Sequence, residues 1–250
     1  MRYLKLTLAY DGTNFSGWQW QPTQRTVQGQ LEAAIREITG EQTRIVSSGR
    51  TDAGVHAIGQ VVSWATESKH STDVLLRGLN ANTPRDMVIR DVEEAPEGFH
   101  AINDSLSKRY RYLLHDSPIR DVFARHYVWQ LWYPLNVDAM HAGAQALLGE
   151  HDFKSYETSG SPRKSTIRTM LDIVVQRRMT DHGHRIVIEV EANGFLYNMV
   201  RNIVGTLVEV GKGNRTSDWP GEVLMKQDRR AAGATAPPQG LYLLKVNFNC

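Results

Sequence analysis

Leu4, Leu6, Leu8 and Tyr10 alternate with Lys5, Thr7 and Ala9. A period of two predicts a half-buried strand. Asp11-Gly12-Thr13-Asn14 is turn chemistry and ends it. Val27, Leu31, Ala34, Ile35 and Ile38 then recur at helical spacing, and Gly40 closes that helix. Thr43–Ser47 and Gln60–Ala65 read as strands, separated by an irregular stretch. Asp73 is the expected N-cap of a helix whose apolar face is Leu75, Leu76 and Leu79, and Met87–Val92 follows as a strand. The predicted order is β-α-β-β-α-β.

The second half repeats this order. Leu106–His115 is strand-like and rich in Tyr and Leu, and Asn136–Leu148 is a helix with Val137, Met140, Ala144 and Leu147 on one face. Thr166–Arg177 and Arg185–Glu191 are strands joined near Asp181-His182-Gly183. Phe195–Val210 is apolar on most sides, which predicts a buried helix, and Leu241–Phe248 is a closing strand. Insertions fall at 116–135 and 149–165. The expectation is an α+β protein of two ferredoxin-like (RRM-like) βαββαβ subdomains with mainly antiparallel sheets. The joint is placed near Ala95–Asn103, dividing the chain into 1–103 and 104–250.

Composition narrows the class. With 41% hydrophobic and 22% charged residues among 250, the chain is neither disordered nor low in complexity. No apolar run approaches the roughly 18 residues of a membrane span, and the first residues enter strand alternation with no signal-like block. Cys250 is the sole cysteine, so an intrachain disulfide and a cysteine zinc cluster are excluded. These features predict a cytoplasmic protein with no membrane partner.

Net charge is +2, but unevenly spread: residues 1–100 hold 10 Lys/Arg against 12 Asp/Glu, and residues 101–250 hold 19 against 15. Basic residues cluster at Lys108-Arg109-x-Arg111, Arg163-Lys164-x-x-x-Arg168 and Arg177-Arg178. Such clusters fit a polyanion or a solvated strand face equally well. His-Glu-x-x-His, Gly-x-Ser-x-Gly and a dinucleotide fingerprint are absent, and Gly205 with Gly211-Lys212 has the wrong spacing for a P-loop. No cofactor and no metal is expected. The most distinctive segment is Ser48-Gly49-Arg50-Thr51-Asp52-Ala53-Gly54-Val55-His56-Ala57, where two glycines bracket an Arg, a Thr and an Asp. Glycines there permit positive φ and close backbone approach. On residue chemistry alone Asp52 is a reactive carboxylate or an ordinary loop-capping aspartate.

That segment resembles the catalytic loop of the TruA family of tRNA pseudouridine synthases. Further blocks resemble the family in the same order: Ala9-Tyr10-Asp11-Gly12-Thr13 with Gly17-Trp18-Gln19, Thr26-Val27-Gln28, Phe99-His100-Ala101, Lys108-Arg109-Tyr110-Arg111-Tyr112, Leu148-Gly149 with Asp152-Phe153, Asn198 to Gly205, and Gly240-Leu241-Tyr242-Leu243. The resemblance implies the pseudouridine synthase fold. It implies isomerisation of uridine to pseudouridine at positions 38, 39 and 40 of the tRNA anticodon arm, without cofactor, by a homodimer. Asp52 takes the place of the family's catalytic carboxylate, acting as nucleophile or as base. Arg201 takes the place of the arginine paired with it, and Tyr110 that of the tyrosine stacked on the target base. Leu241 would contact the base from the other side, and Arg50 would support the site or help expel the base. Tyr112, on the same strand face as Tyr110, is the expected core residue, and His56 is left outside the chemistry. Lys108, Arg109, Arg163, Lys164 and Arg168 become candidate phosphate contacts.

Two other readings are weighed. A non-catalytic RNA-binding module with twin RRM-like sheets needs no acid in a glycine-bracketed loop. A glycoside hydrolase needs two carboxyl groups flanking the bond, and one well-placed acid is visible.

Overall fold

The computed structural model describes residues 1–160, 165–180 and 183–249. They form a mixed α+β fold of two compact units, Met1–Leu106 with Tyr242–Cys250, and Ser107–Leu241.

In the first unit β1 (Arg2–Tyr10) runs antiparallel to β3 (His56–Thr66) and to β4 (Met87–Ala95). The short β2 (Val46–Ser47) pairs with β3 antiparallel at Val62 and Ser63. Further along, β3 takes β10 (Leu241–Phe248) as a parallel neighbour, with Tyr242 opposite His56 and Leu243 opposite Ala57. The strand order is β4-β1-β3-β10. Alternation in β1 places Leu4, Leu6 and Leu8 wholly in the core, each worth about 1.5–3 kcal/mol of burial. Helix α1 (Val27–Thr39) is capped by Thr26, whose side chain accepts from the Gly29 N–H, and ends at Gly40 in the left-handed region. Helix α2 (Thr72–Asn82) starts two residues earlier than the expected Asp73 cap implies. Ser71 is the N-cap, accepting from the Val74 N–H, and Asp73 lies in the first turn. Both residue types cap well; Ser71 holds the position because it is the one with extended backbone.

The C-terminal strand is the main departure from the expected division. The sequence pattern assigns it to the 104–250 half, yet Tyr242 onward packs with the first unit. The parallel pairing to β3 accounts for this, reinforced by Phe248 packing 5.5 Å from Phe99 between ring centroids.

In the second unit β5 (Ser105–Asp116) pairs antiparallel with β9 (Gly183–Ala192), which pairs with β8 (Ile167–Thr180) and so to β7 (Gly149–Asp152). A short β6 (Trp129–Leu131) lies parallel to the end of β5. Helices α3 (Val137–Gln145) and α5 (Trp219–Lys226) flank α4 (Met199–Gly211), which is buried on nearly every side. Helix α4 begins four residues later than expected, because Asn198 sits in the left-handed region and the chain before it turns. Helix α3 stops at Gln145, short of the expected Leu148, and α5 has no counterpart in the sequence pattern, because at eight residues its apolar periodicity is too short to stand out.

Candidate active site

The glycine-bracketed loop follows β2 and leads into β3. Its backbone is held from the β1 side at several points. The Trp18 N–H donates to Thr51 O at 2.9 Å, and the Val55 N–H closes back on Asp52 O at 3.1 Å. The Tyr10 hydroxyl and Thr51 Oγ1 are 2.7 Å apart and both buried. Gln60 is fully buried and accepts from Ser48 Oγ at 2.8 Å while its amide donates to Gly49 O at 2.8 Å. Burial pushes the Tyr10 phenol up to about 12, so it stays a neutral anchor at physiological pH.

Two glycines make this packing possible. Gly17 has φ of +88°, and a Cβ there would lie 2.9 Å from Thr51 O and 3.2 Å from the Ala53 nitrogen. At Gly12 a Cβ would collide with the carbonyl of Val55. The Asp11–Trp18 turn therefore lies directly against the backbone of 51–55. The Gly12 N–H donates to His56 Nδ1 at 3.0 Å, and the buried His56 ring stacks on Tyr242 at 4.8 Å. His56 is thus a structural part of the loop. Asp52 is partly exposed at the crest, and Gly54 turns the chain with φ of +78°. Arg50 is exposed and makes no hydrogen bond or ion pair with a described residue.

The remaining candidates belong to the second unit. Tyr110 is buried in β5, edge-on to Phe195 at 5.0 Å. Tyr112 is wholly buried and its hydroxyl donates to Pro237 O at 2.6 Å. Arg201, in the first turn of α4, donates from Nε to Ala236 O at 2.7 Å and from Nη1 to Asn198 Oδ1 at 2.8 Å. Leu241 is buried at the start of β10.

The proposed phosphate contacts fare unevenly. Arg109 lies among three carboxylates: Asp172 at 2.7 Å, Glu191 at 2.8 Å and Glu189 at 3.2 Å. Burial opposes its charge, but hydrogen bonds to Asp172 and Glu191 hold its pKa above the ordinary arginine value. Its charge is answered within the sheet, so the cluster at 108–111 is in large part a cross-strand ion network rather than an open basic patch. Lys108 is buried. Arg168 donates to the carbonyls of Ser165 and Ile167. Arg163 and Lys164 lie outside the described residues. Among the described residues no group of three or more His, Cys, Asp or Glu side chains could hold a metal ion, and no helix is long and apolar enough to cross a membrane.

The residues that hold Asp52 and Arg201 went unremarked as such in the sequence. Tyr10, Gly12, Gly17 and Trp18 stand in one matching block and Asn198 in another. Only the contacts reveal that they are scaffolding.

The fold and the loop define a class: an α+β protein whose glycine-bracketed aspartate loop is fixed by its first strand and turn. The sequence profile of the tRNA pseudouridine synthases matches residues 7–103 and 144–249. Proteins named tRNA pseudouridine synthase A are close relatives. Those of Thermoanaerobacter sp. (strain X514) and Brevibacillus brevis are 43% and 46% identical over 248 residues, covering 99% of this chain and all of theirs. That of Chloroflexus aurantiacus is 46% identical over 99% of this chain and 89% of its own. A solved Cbf5-Nop10-Gar1 complex aligns with a TM-score of 0.40 and 14% identity, over 96% of this chain and 57% of that one. The chain belongs to the tRNA pseudouridine synthase family, a family of isomerases.

Proposed function

We propose that this protein isomerises uridine to pseudouridine at positions 38, 39 and 40 of the tRNA anticodon arm, with Asp52 as the catalytic carboxylate. The reaction breaks the bond from ribose C1′ to uracil N1, turns the base while it is held, and joins C5 to C1′. Atoms and electrons balance within the nucleotide. Asp52 serves as nucleophile at C1′ or as the base that takes a ribose proton. Arg201 balances its charge, Tyr110 stacks on the uracil, and Leu241 packs on the base from the other side. The target base must leave its stack, at roughly a few kcal/mol. Arg50, an exposed guanidinium two residues from Asp52, fits the task of filling the space the base leaves. We place the enzyme in the cytoplasm and read it as a homodimer.

The observation that carries this reading is the rigidity of the Asp52 loop. A loop aspartate that merely caps its own turn needs no such frame. Here Tyr10, Gly12, Gly17, Trp18 and Gln60 over-determine the backbone on both sides of it. A preorganised carboxylate is what a chemical step requires.

The test is incubation of unmodified tRNA bearing uridines at 38–40 with the protein, followed by mapping of pseudouridine. Pseudouridine should form at those positions with the wild type. Asp52→Asn, nearly isosteric, should lose at least about a hundredfold in rate while keeping its affinity for tRNA. Modification elsewhere would overturn the positional assignment, and an active Asp52→Asn would overturn the role of Asp52.

A further inference from the structure

Several arginines of the second unit are answered by acid. Arg109 lies among Asp172, Glu189 and Glu191, Arg111 on Glu189, Arg177 on Asp116, and Arg185 on Asp121. A guanidinium already neutralised has little to offer a phosphate, since the new anion must compete with a carboxylate in place.

Arg229 is built differently. It opens a single 3-10 turn after α5 and is half-buried. Its Nη2 donates to Asn202 Oδ1 at 3.0 Å and to Thr235 Oγ1 at 2.9 Å, both neutral acceptors. Its Nε and Nη1 make no hydrogen bond with a described residue, and none of the described carboxylates pairs with it. Burial alone holds its pKa below the ordinary arginine value, with no opposing charge.

The frame around it is fixed. Asn202 is fully buried, and all four of its hydrogen-bonding positions are used. Oδ1 accepts from Arg229 and from Thr235 Oγ1, and Nδ2 donates to Tyr156 O at 2.7 Å and Thr158 Oγ1 at 3.2 Å. Asn202 follows Arg201 in α4, and Thr235 precedes Ala236, whose carbonyl holds Arg201. The segment 233–236 lies directly on α4, with the Gly233 N–H donating to Thr206 Oγ1 and the Ala236 N–H to Arg201 O. A locally uncompensated cation is thus fixed one residue from Arg201 along two stretches of backbone.

Desolvating a cation on neutral acceptors costs free energy that no protein anion returns. A phosphodiester returns it, because its anionic oxygens accept from the Nε and Nη1 donors that Asn202 and Thr235 leave unused. We propose that Arg229, held by Asn202 and Thr235, is a binding site for a phosphodiester group of the RNA substrate. This rests on the tRNA-modifying reading above.

The experiment compares wild type, Arg229→Gln and Arg229→Lys. Binding of an unmodified tRNA transcript is measured by filter retention across a salt series, together with KM, kcat and thermal melting. Arg229→Gln should bind on the order of tenfold more weakly at low salt. Its log–log salt slope should flatten by about 0.7–0.9, the loss of one phosphate contact. The loss should fall mainly on KM, and Arg229→Lys should restore the slope because it restores the charge. In the wild type, bound tRNA should also protect Arg229 from the arginine reagent phenylglyoxal, read by peptide mass spectrometry. This measurement survives a variant that does not fold. An unchanged slope with a lowered melting temperature would make Arg229 a clamp on the 228–236 segment and overturn the proposal. So would a loss confined to kcat, or reagent access unaffected by tRNA. If the wild type binds tRNA yet makes no pseudouridine, the catalytic reading fails while the slope and protection still decide the Arg229 site.

Discussion

Thr51 joins the chemistry of single side chains to the position of Asp52. Its hydroxyl meets Tyr10 and its carbonyl meets the Trp18 N–H, so both faces of the residue preceding Asp52 are tied to the β1 region. Removing one tie has a defined cost. Tyr10→Phe leaves Thr51 Oγ1 buried without its 2.7 Å partner, which should cost about 1–2 kcal/mol of stability. If the tie positions Asp52, kcat should fall while KM for tRNA holds, and denaturant unfolding with steady-state kinetics checks both. A variant equal to wild type in rate would show that the backbone contacts alone hold the loop. The pH dependence has a definite sign. The phenol is raised to about 12, so its neutral form is the one the folded state favours. Its contribution is complete below about pH 10 and is lost as pH rises toward 12. At this scale the glycine-bracketed loop was legible as the most distinctive segment of the sequence. The roles of Tyr10 and Gln60 were not, since a strand pattern offers no sign of which buried polar tip meets a loop, whether 41 residues away for Tyr10 or 11 and 12 for Gln60.

At the scale of elements, strands and long helices followed from periodicity, whereas caps and ends followed from local backbone. Helix α2 takes Ser71 rather than Asp73, and α4 waits for the left-handed turn at Asn198. Neither is visible in an apolar pattern, which reports faces and not φ angles. The ion pairs between strands are equally hidden. Asp116 at the end of β5 meets Arg177 of β8 through two bonds of 2.6 and 2.7 Å. Burial works against the charged carboxylate, but the Arg177 hydrogen bonds and the Leu135 N–H hold its pKa below the usual value. That stability is present above the unfolded pKa of about 4 and disappears as pH falls below it. Arg177→Met should therefore destabilise the protein by about 1–3 kcal/mol at pH 7, and the difference from wild type should shrink below about pH 4. Chemical denaturation at both pH values reads this. A pH-independent difference would assign the loss to packing of the arginine stem.

For the whole molecule, the consequential feature is a first unit assembled from both ends of the chain. β10 satisfies the edge of β3 at His56 and Ala57, immediately after the Asp52 loop. Tyr242 also covers the ring of His56, which in turn holds the Gly12 turn. A chain ending at Leu241 should lose the order of the 48–57 loop and of its partner turn. Limited proteolysis is expected to cut there far faster than in the full chain, and pseudouridine formation should vanish. A truncated protein with an intact, protected loop would show that β1 and β2 suffice to hold it.

Sequence by itself determined the alternating and helical stretches, the α+β class, the family and the Asp52 loop. These depend on residues near one another in the chain, or on spacing within one block. Periodicity of side chains along an extended or helical backbone is a local property, and burial of the apolar face follows from it. Tertiary structure decided the rest. It placed β10 in the first unit, answered Arg109 with three carboxylates while leaving Arg229 on neutral acceptors, and turned Gly12, Gly17 and Gln60 into the frame of the loop. Such outcomes depend on which residues distant in sequence meet when the elements pack. Arg109 becomes a neutralised strut and Arg229 stays on neutral acceptors according to the charge that packing brings beside each.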